Sequence, residues 1–365
     1  MKYIQGFDGL RFYSIFLVII THLGFGLKSS HKALNYFFSG TAGVIIFFAI
    51  SGFLITSLIL HEISKTGRFN IKWFFIRRFL RLLPPMIPFY IVLVIFMYMG
   101  WARDSYLGIL ASALYVYNFI PRVNFLFSGE LSHTWSLSVE EQFYLLWSLL
   151  FFRYKLEHIK YIGISLIFVC IIGSFVLPSV GFSYHNDTRI LGEVFFVNRW
   201  LIPAIGPILI GSMFAIINYF GYMRIKERIS GKRAGVFSFF LFLLPIFTPE
   251  LLLPIIRMIH AIGVSILLVW VVNNQTNPII SILEFKFFRY IGRISYGLYI
   301  WQGLFLRTSP NWEPSIWVHQ FPINIILTVT FAVLSYEYYE KYILKYKSRF
   351  KPRPKTQASP EINLA

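Results

Sequence analysis

Cysteine and acidic residues are scarce in this sequence. A single cysteine, Cys170, occurs in 365 residues and lies within an apolar run. A disulfide framework and a cysteine-based metal site are therefore excluded. The 16 acidic residues are outnumbered by 34 lysines and arginines. We expect no metal and no permanently bound cofactor. The excess of lysine and arginine over acidic residues is explained below by the membrane topology.

Charged residues of both signs together make up only 14% of the chain, whereas 56% is hydrophobic and the mean hydropathy is +0.63. A soluble domain of this composition could not cover its surface with polar groups, so the composition indicates a polytopic membrane protein. The basic residues lie in short clusters between apolar runs. There they indicate topology and contacts with membrane lipids, and we expect no nucleic-acid partner.

Apolar runs long enough to cross a membrane recur along the chain. They predict an all-α, polytopic membrane helix bundle of about ten transmembrane helices, at 10–27, 41–60, 82–100, 134–152, 161–178, 200–219, 234–250, 255–273, 291–308 and 321–341. An eleventh run, 105–120, is predicted to be re-entrant or interfacial, because most basic residues then lie on one side. That side is the cytoplasm, and it holds both termini of a multi-pass protein of the cell (inner) membrane. Residues 1–344 form the membrane domain, and 345–365 form a basic, disordered cytoplasmic tail.

The first span carries two ionisable residues, Arg11 and His22, with ten uncharged residues between them. An eleven-residue step rotates a helix about 20° past three full turns, so both residues share one face, about 16 Å apart along the axis. Ionisable residues inside a membrane are costly and indicate function. The charge pattern places Arg11 at the cytoplasmic end and His22 near the outer end.

Two adjacent glutamates, Glu140 and Glu141, lie in the fourth predicted span at a depth similar to that of His22. A histidine beside a carboxylate fits a general base with an orienting partner. A structural hydrogen bond between the two fits equally well. The sequence does not decide which glutamate turns inward.

A second cluster, WFFIRRFLRLLP at 73–84, leads into the third span with Arg77, Arg78 and Arg81. Arg78 and Arg81 are three residues apart and share a helix face. With Arg11 they either form an anion-binding mouth for phosphates or serve as juxtamembrane topology charges. Small residues at Gly43, Ser51 and Gly52 in the second span indicate close helix packing.

Six stretches resemble one family in order and spacing. They are the Arg-x10-His of the first span, GVIIFFAISGFLI, FFIRRFLRLLP, HTWSLSVEEQFYLLW, IGRISYGLYIWQ and SYEYYEKYILK. Together they resemble acyltransferase family 3, the integral membrane O-acyltransferases that act on bacterial surface polysaccharides. The resemblance covers residues 5 to about 345.

The resemblance implies roles at matching positions. His22 is implied to be catalytic, Arg11 essential, and Arg78 with Arg81 associated with the acyl donor. Ser136 and Glu140 match the Ser-x-x-x-Glu stretch beside Trp135, so that Trp135, Ser136 and Glu141 are substrate-binding or supporting residues. This chain departs from the family at Gln302, where a histidine is frequent.

The resulting prediction is a membrane O-acyltransferase that moves an acetyl group from cytoplasmic acetyl-CoA to a hydroxyl of a surface or lipid-linked glycan. His22 is the predicted base, with Glu140 and Arg11 beside it in the catalytic set, and Arg11, Arg78 and Arg81 bind the donor. The alternative is a secondary transporter or flippase that uses the buried Arg, His and Glu residues for coupling.

Overall fold

The structure is a computed structural model. It describes residues 3–24, 39–120, 129–179, 188–190, 193–221, 253–306 and 316–350, together with a few positions between 227 and 238. The predicted span at 234–250 and the tail beyond 350 fall largely or wholly outside the described residues. The prediction of ten spans therefore stays a prediction.

Helices dominate the described residues, and we number them in chain order. They are α1 Phe7–His22, α2 Gly40–Thr66, α3 Ile71–Tyr98, α4 Tyr106–Ala113, α5 Trp135–Arg153, α6 Leu156–Ser179, α7 Leu201–Ala204, α8 Gly206–Phe220, α9 Leu253–Asn273, α10 Pro278–Leu283, α11 Lys286–Arg293, α12 Ser295–Phe305, α13 Ile323–Ser335 and α14 Lys341–Tyr346. A π-helix, Tyr336–Glu340, joins α13 to α14. Short 3₁₀ turns occur at Tyr117–Phe119, Ser132–Thr134, Val197–Arg199, Trp317–His319 and Lys347–Phe350.

Four of the described helices are long and apolar enough to cross a membrane by length and composition. They are Gly40–Thr66, Ile71–Tyr98, Leu156–Ser174 and Ile255–Asn273. Large apolar side chains also remain exposed on the bundle surface, for example Leu149 on α5 and Phe168 on α6. A lipid environment accounts for this exposure, whereas water would not. The predicted class, an all-α membrane helix bundle, is confirmed.

The run at 105–120 does not form a spanning helix. Its helix α4 has eight residues and is followed by the 3₁₀ turn Tyr117–Phe119. Eight residues rise about 12 Å, well short of a hydrocarbon core of about 30 Å. The expectation of a re-entrant or interfacial segment agrees with this geometry.

Two local features differ from the sequence-based expectation. Strands Thr188–Ile190 and Glu193–Phe195 pair antiparallel, although no strand was predicted. Each strand has only three residues, too few to leave a period-two pattern that hydropathy could detect. The chain also remains helical to Tyr346 and continues as a 3₁₀ turn through Phe350, although disorder was expected from 345.

The turn between α2 and α3 fixes the start of the arginine-bearing helix. Gly67 ends α2 with φ +73°, a conformation that glycine adopts at low cost. Asn70 then caps α3, because its side-chain oxygen accepts a hydrogen bond from the Trp73 amide at 3.0 Å. Glu62 of α2 accepts from the Asn70 amide at 2.9 Å and from Arg77 Nη2 at 2.6 Å. The first turn of α3 is therefore held against the end of α2.

Close packing of α2 on α8 depends on two glycines. A Cβ at Gly52 would collide with the carbonyl oxygen of Ile208, and a Cβ at Gly211 would collide with that of Ala49. The two backbones therefore touch, as the small-residue pattern of α2 predicted. Helix α1 packs on the other part of α2 and on α11, which places α1 next to the interior of the bundle.

Candidate active site

A cavity of about 470 Å³ lies inside the bundle between α1, α2, α3, α5 and α12. Its size is within the usual range for small-molecule sites. One end is formed by Tyr3, Arg11, Arg81 and Lys347, and the other extends to Val44 and Ser136. We refer to these as the Arg11 end and the Ser136 end of the cavity.

The three predicted donor-binding arginines meet in this cavity, as Arg11, Arg78 and Arg81 all line it. Arg78 Nη2 lies 2.9 Å from Glu141 Oε1, and Arg11 Nη1 lies 3.3 Å from Asp8 Oδ1. For Arg81, no carboxylate or hydrogen-bond partner is found within the described part of the chain. Arg81 is thus the guanidinium with most capacity for an anionic ligand.

Both glutamates turn inward, but toward different partners. Glu140 lines the cavity, and its Oε2 accepts hydrogen bonds from Tyr144 at 3.0 Å and from Ser51 at 3.3 Å. The Ser51 and Tyr144 hydroxyls also contact each other. Glu141 instead pairs with Arg78. Ser51, predicted to be a packing residue, therefore presents its hydroxyl to the cavity.

The predicted contact between His22 and Glu140 is absent among the described residues. His22 Nδ1 lies 2.7 Å from the carbonyl oxygen of Val18, one turn earlier in α1. A carbonyl only accepts, so Nδ1 carries the proton and the lone pair of the neutral ring is on Nε2. The backbone of α1 performs the orienting that the prediction gave to Glu140. Sequence could not reveal this, because every helical histidine has such a carbonyl within reach.

His22 lies beyond the Ser136 end of the cavity rather than in its wall. A Cβ at Gly40 would lie 3.6 Å from Thr21, the neighbour of His22, whereas Val44 is still part of the cavity. Gly40 and Val44 are four residues apart in α2, a distance of about 6 Å along the helix axis. The cavity therefore ends about one helical turn short of the level of His22.

His133 is the residue whose position the sequence did not predict. It is only 6% exposed, and its ring packs against Phe89 and Tyr299. It lies in the neighbourhood of His22. The sequence feature that could have indicated its importance is its position at the start of the HTWSLSVEEQ stretch.

The supporting residues of α5 lie around this histidine. Ser136 lines the cavity, and its hydroxyl is 2.6 Å from that of Tyr299, which donates to the His133 carbonyl at 3.0 Å. Trp135 does not line the cavity but packs edge-on against Phe48 and beneath the Arg199 guanidinium. Gln302 is fully buried, and neither of its amide atoms has a hydrogen-bond partner among the described residues.

Comparison with known proteins assigns the chain to a family. Residues 4–337 match the family model described as an acyltransferase domain. The chain belongs to this acyltransferase family. The match includes Arg11, His22, Arg78, Arg81 and Glu140, all of the residues that the sequence analysis placed at the catalytic and donor sites.

Several relatives of this acyltransferase are named O-acetyltransferases. The peptidoglycan O-acetyltransferase OatA of Listeria monocytogenes is 28% identical over 371 residues, which are 94% of this chain and 56% of the relative. A putative O-acetyltransferase of Staphylococcus aureus strain COL is 28% identical, over 93% of this chain and 57% of the relative. OatA of S. aureus strain MRSA252 is 27% identical, over 98% of this chain and 60% of the relative.

The acyltransferase thus spans a little over half the length of the relatives it matches. No solved structure matches it. The membrane helices of the structure are consistent with a membrane-bound member of the family.

Proposed function

We propose that this acyltransferase transfers an acetyl group from acetyl-CoA to a hydroxyl of a glycan or lipid-linked glycan. The observation that carries the proposal is the cavity, which has Arg81, without a partner among the described residues, at one end and extends toward the level of His22 at the other. The names of the relatives support O-acetyl transfer, and one of them names peptidoglycan as its acceptor.

In this proposal the donor enters at the Arg11 end. Arg81 and Arg11 contact its phosphates, and Arg78, which is already paired with Glu141, holds α3 in position. The extended pantetheine arm then lies along the cavity, where Glu140 accepts hydrogen bonds from its amide groups. Arg11 and His22 are about 16 Å apart along α1, a distance that such an arm covers.

His22 is proposed to be the general base. Nε2 takes the proton of the acceptor hydroxyl as its oxygen attacks the thioester carbonyl carbon. The carbon–sulfur bond then breaks, and the leaving thiolate takes the proton from His22, which gives an ester and a free thiol. General base catalysis contributes on the order of 10² to 10⁴ in rate, and the rest comes from positioning both substrates.

The same proposal implies an orientation of the protein in the membrane. Acetyl-CoA is a cytoplasmic metabolite, so the Arg11 end faces the cytoplasm in the cell (inner) membrane, with both termini inside. The clusters of lysine and arginine at that side support this orientation. The acceptor then approaches from the His22 side, and anionic membrane lipids contact the basic clusters.

Inside-out membrane vesicles test the reaction directly. Acetyl-CoA labelled in the acetyl group is supplied outside, and glycans are isolated from the vesicles. Covalent label on a glycan, lost on mild alkaline hydrolysis of esters, supports the enzyme. Free labelled solute in the lumen, without labelled glycan, would favour the transporter alternative.

A further inference from the structure

The chain beyond the family match returns to the cavity. The family match ends at residue 337, and the 3₁₀ turn Lys347–Phe350 follows ten residues later. Phe350 anchors this turn on α3, because its carbonyl accepts from Arg77 Nη1 at 2.8 Å and its ring lies 5.0 Å from that of Trp73. Lys347, at the start of the turn, is thereby placed in the cavity wall at the Arg11 end.

Charge is unbalanced at this end of the cavity. Five basic residues lie close together, and three of them have carboxylate partners: Arg11 with Asp8, Arg77 with Glu62 and Arg78 with Glu141. Arg81 and Lys347 have none among the described residues. Two cations of this kind beside one cavity repel each other unless an anion lies between them.

The pKa of Lys347 reflects the excess of positive charge at the Arg11 end of the cavity. Burial and the nearby guanidinium groups of Arg81, Arg78, Arg77 and Arg11 lower the pKa of the Lys347 ammonium to about 7. The Asp8 and Glu140 carboxylates line the same cavity but do not offset this effect. An anion of charge near −2 would compensate Arg81 and Lys347 together and restore the protonated lysine.

We propose that Lys347 and Arg81 together bind the diphosphate of the acyl donor, which makes the C-terminal turn a part of the donor site. The inference rests on the proposed function, since acetyl-CoA is the donor there. Arg81 supplies a planar fork to the phosphate oxygens, and Lys347 supplies a point charge on a flexible stem. The phosphate group of an anionic lipid has the same chemistry, so the test includes both.

Binding to the full-length protein in nonionic detergent tests the assignment. Coenzyme A is titrated into wild type, Lys347→Met, Lys347→Arg and the control Lys345→Met. Lys345 is exposed on the same segment, against the Tyr342 ring. We expect Lys347→Met to weaken coenzyme A binding roughly tenfold, Lys347→Arg to retain most of it, and Lys345→Met to change little. Pantetheine, which lacks the diphosphate, should bind wild type and Lys347→Met equally.

A second measurement does not depend on affinity. Calorimetry at pH 7.5 in buffers of different ionisation enthalpy should record proton uptake when coenzyme A binds wild type, because the ligand raises the pKa of Lys347. Lys347→Met should record less uptake, and thermal unfolding of each variant shows whether it is folded.

The outcomes separate the two proposals. No coenzyme A binding by wild type would overturn the proposed donor and, with it, this inference. Coenzyme A binding that is equal in wild type and folded Lys347→Met, with unchanged proton uptake, would overturn this inference alone. The same applies if Lys347→Met weakens binding of phosphatidylglycerol but not of coenzyme A, because the turn would then bind a lipid headgroup.

Discussion

Arg78 of α3 and Glu141 of α5 form an ion pair inside the bundle, with Nη2 2.9 Å from Oε1 and both side chains largely buried. The Arg78 guanidinium also lies 3.7 Å from the centroid of the Tyr144 ring. Arg78 thus contacts two successive turns of α5. Arg81 follows one turn later on the same face of α3, so this pair holds the part of α3 that carries Arg81.

Removing the carboxylate of this pair should cost stability. Glu141→Gln leaves the Arg78 charge without its counterion at low dielectric, and we expect a loss of about 2 to 4 kcal/mol in the free energy of unfolding. Denaturant unfolding in detergent measures it. Glu140→Gln is the matched control, since Glu140 pairs with hydroxyls, and an equal loss in both variants would contradict the distinction between them.

His22→Ala should reduce the turnover number by about 10² to 10⁴ while the donor KM changes little. The imidazole is the proposed proton acceptor, and its Nδ1 is committed to the Val18 carbonyl. Glycan acetylation by vesicles that contain equal amounts of protein measures the effect. His158→Ala, at an exposed position near the start of α6, is the control. Near-normal turnover of His22→Ala would remove His22 from the reaction.

Arg81→Met should act on the donor. Loss of the guanidinium that has no partner in the described part of the chain should raise the KM for acetyl-CoA tenfold or more and leave the acceptor KM nearly unchanged. Arg68→Met removes an exposed arginine from the loop between α2 and α3 and controls for general loss of positive charge. A donor KM that rises equally in both variants would assign the effect to overall electrostatics.

The loop between α3 and α4 should make stability depend on pH. Asp104 is buried, and its pKa is raised well above the usual range by burial and by the neighbouring Glu130 carboxylate. The folded protein therefore keeps a proton that the unfolded chain releases, and stability falls as pH rises from the unfolded pKa to the folded one. Asp104→Asn should raise the midpoint of thermal unfolding at pH 7 to 8 and flatten its fall with pH.

Glu157→Gln is the control for this prediction, because Glu157 is exposed at the start of α6. Similar pH profiles of wild type and Asp104→Asn would show that Asp104 titrates normally. Asparagine can still accept the hydrogen bond that the Leu131 amide donates to Asp104 at 2.9 Å, so a loss of that bond does not confuse the result.

The features that depend on one helix were predictable from the sequence. Hydropathy identified the bundle, and the three-residue spacing of Arg78 and Arg81 predicted that both share one face of α3, where both line the cavity. The resemblance to the family was also confirmed, by the match over residues 4–337. The bundle and the shared helix face follow from helical periodicity and local composition alone, whereas the family was identified by its motifs.

The features that depend on the register between helices were not predictable. Glu140 and His22 were matched by depth, but depth does not fix rotation, and Glu140 turns toward Ser51 and Tyr144 instead. Lys347 was assigned to a disordered tail by composition. Its position depends on two contacts of Phe350, between its backbone carbonyl and Arg77 and between its ring and Trp73, which no pattern of residue types encodes.

The contact between α2 and α8 affects the width of the cavity. Gly52 faces the Ile208 carbonyl, and the preceding residue, Ser51, donates to Glu140 inside the cavity. A side chain at position 52 would push α2 away from α8 and move Ser51 with it, toward the space that the donor arm is proposed to occupy. Gly52, which does not line the cavity, thus limits the width of the cavity that is available to an acyl chain.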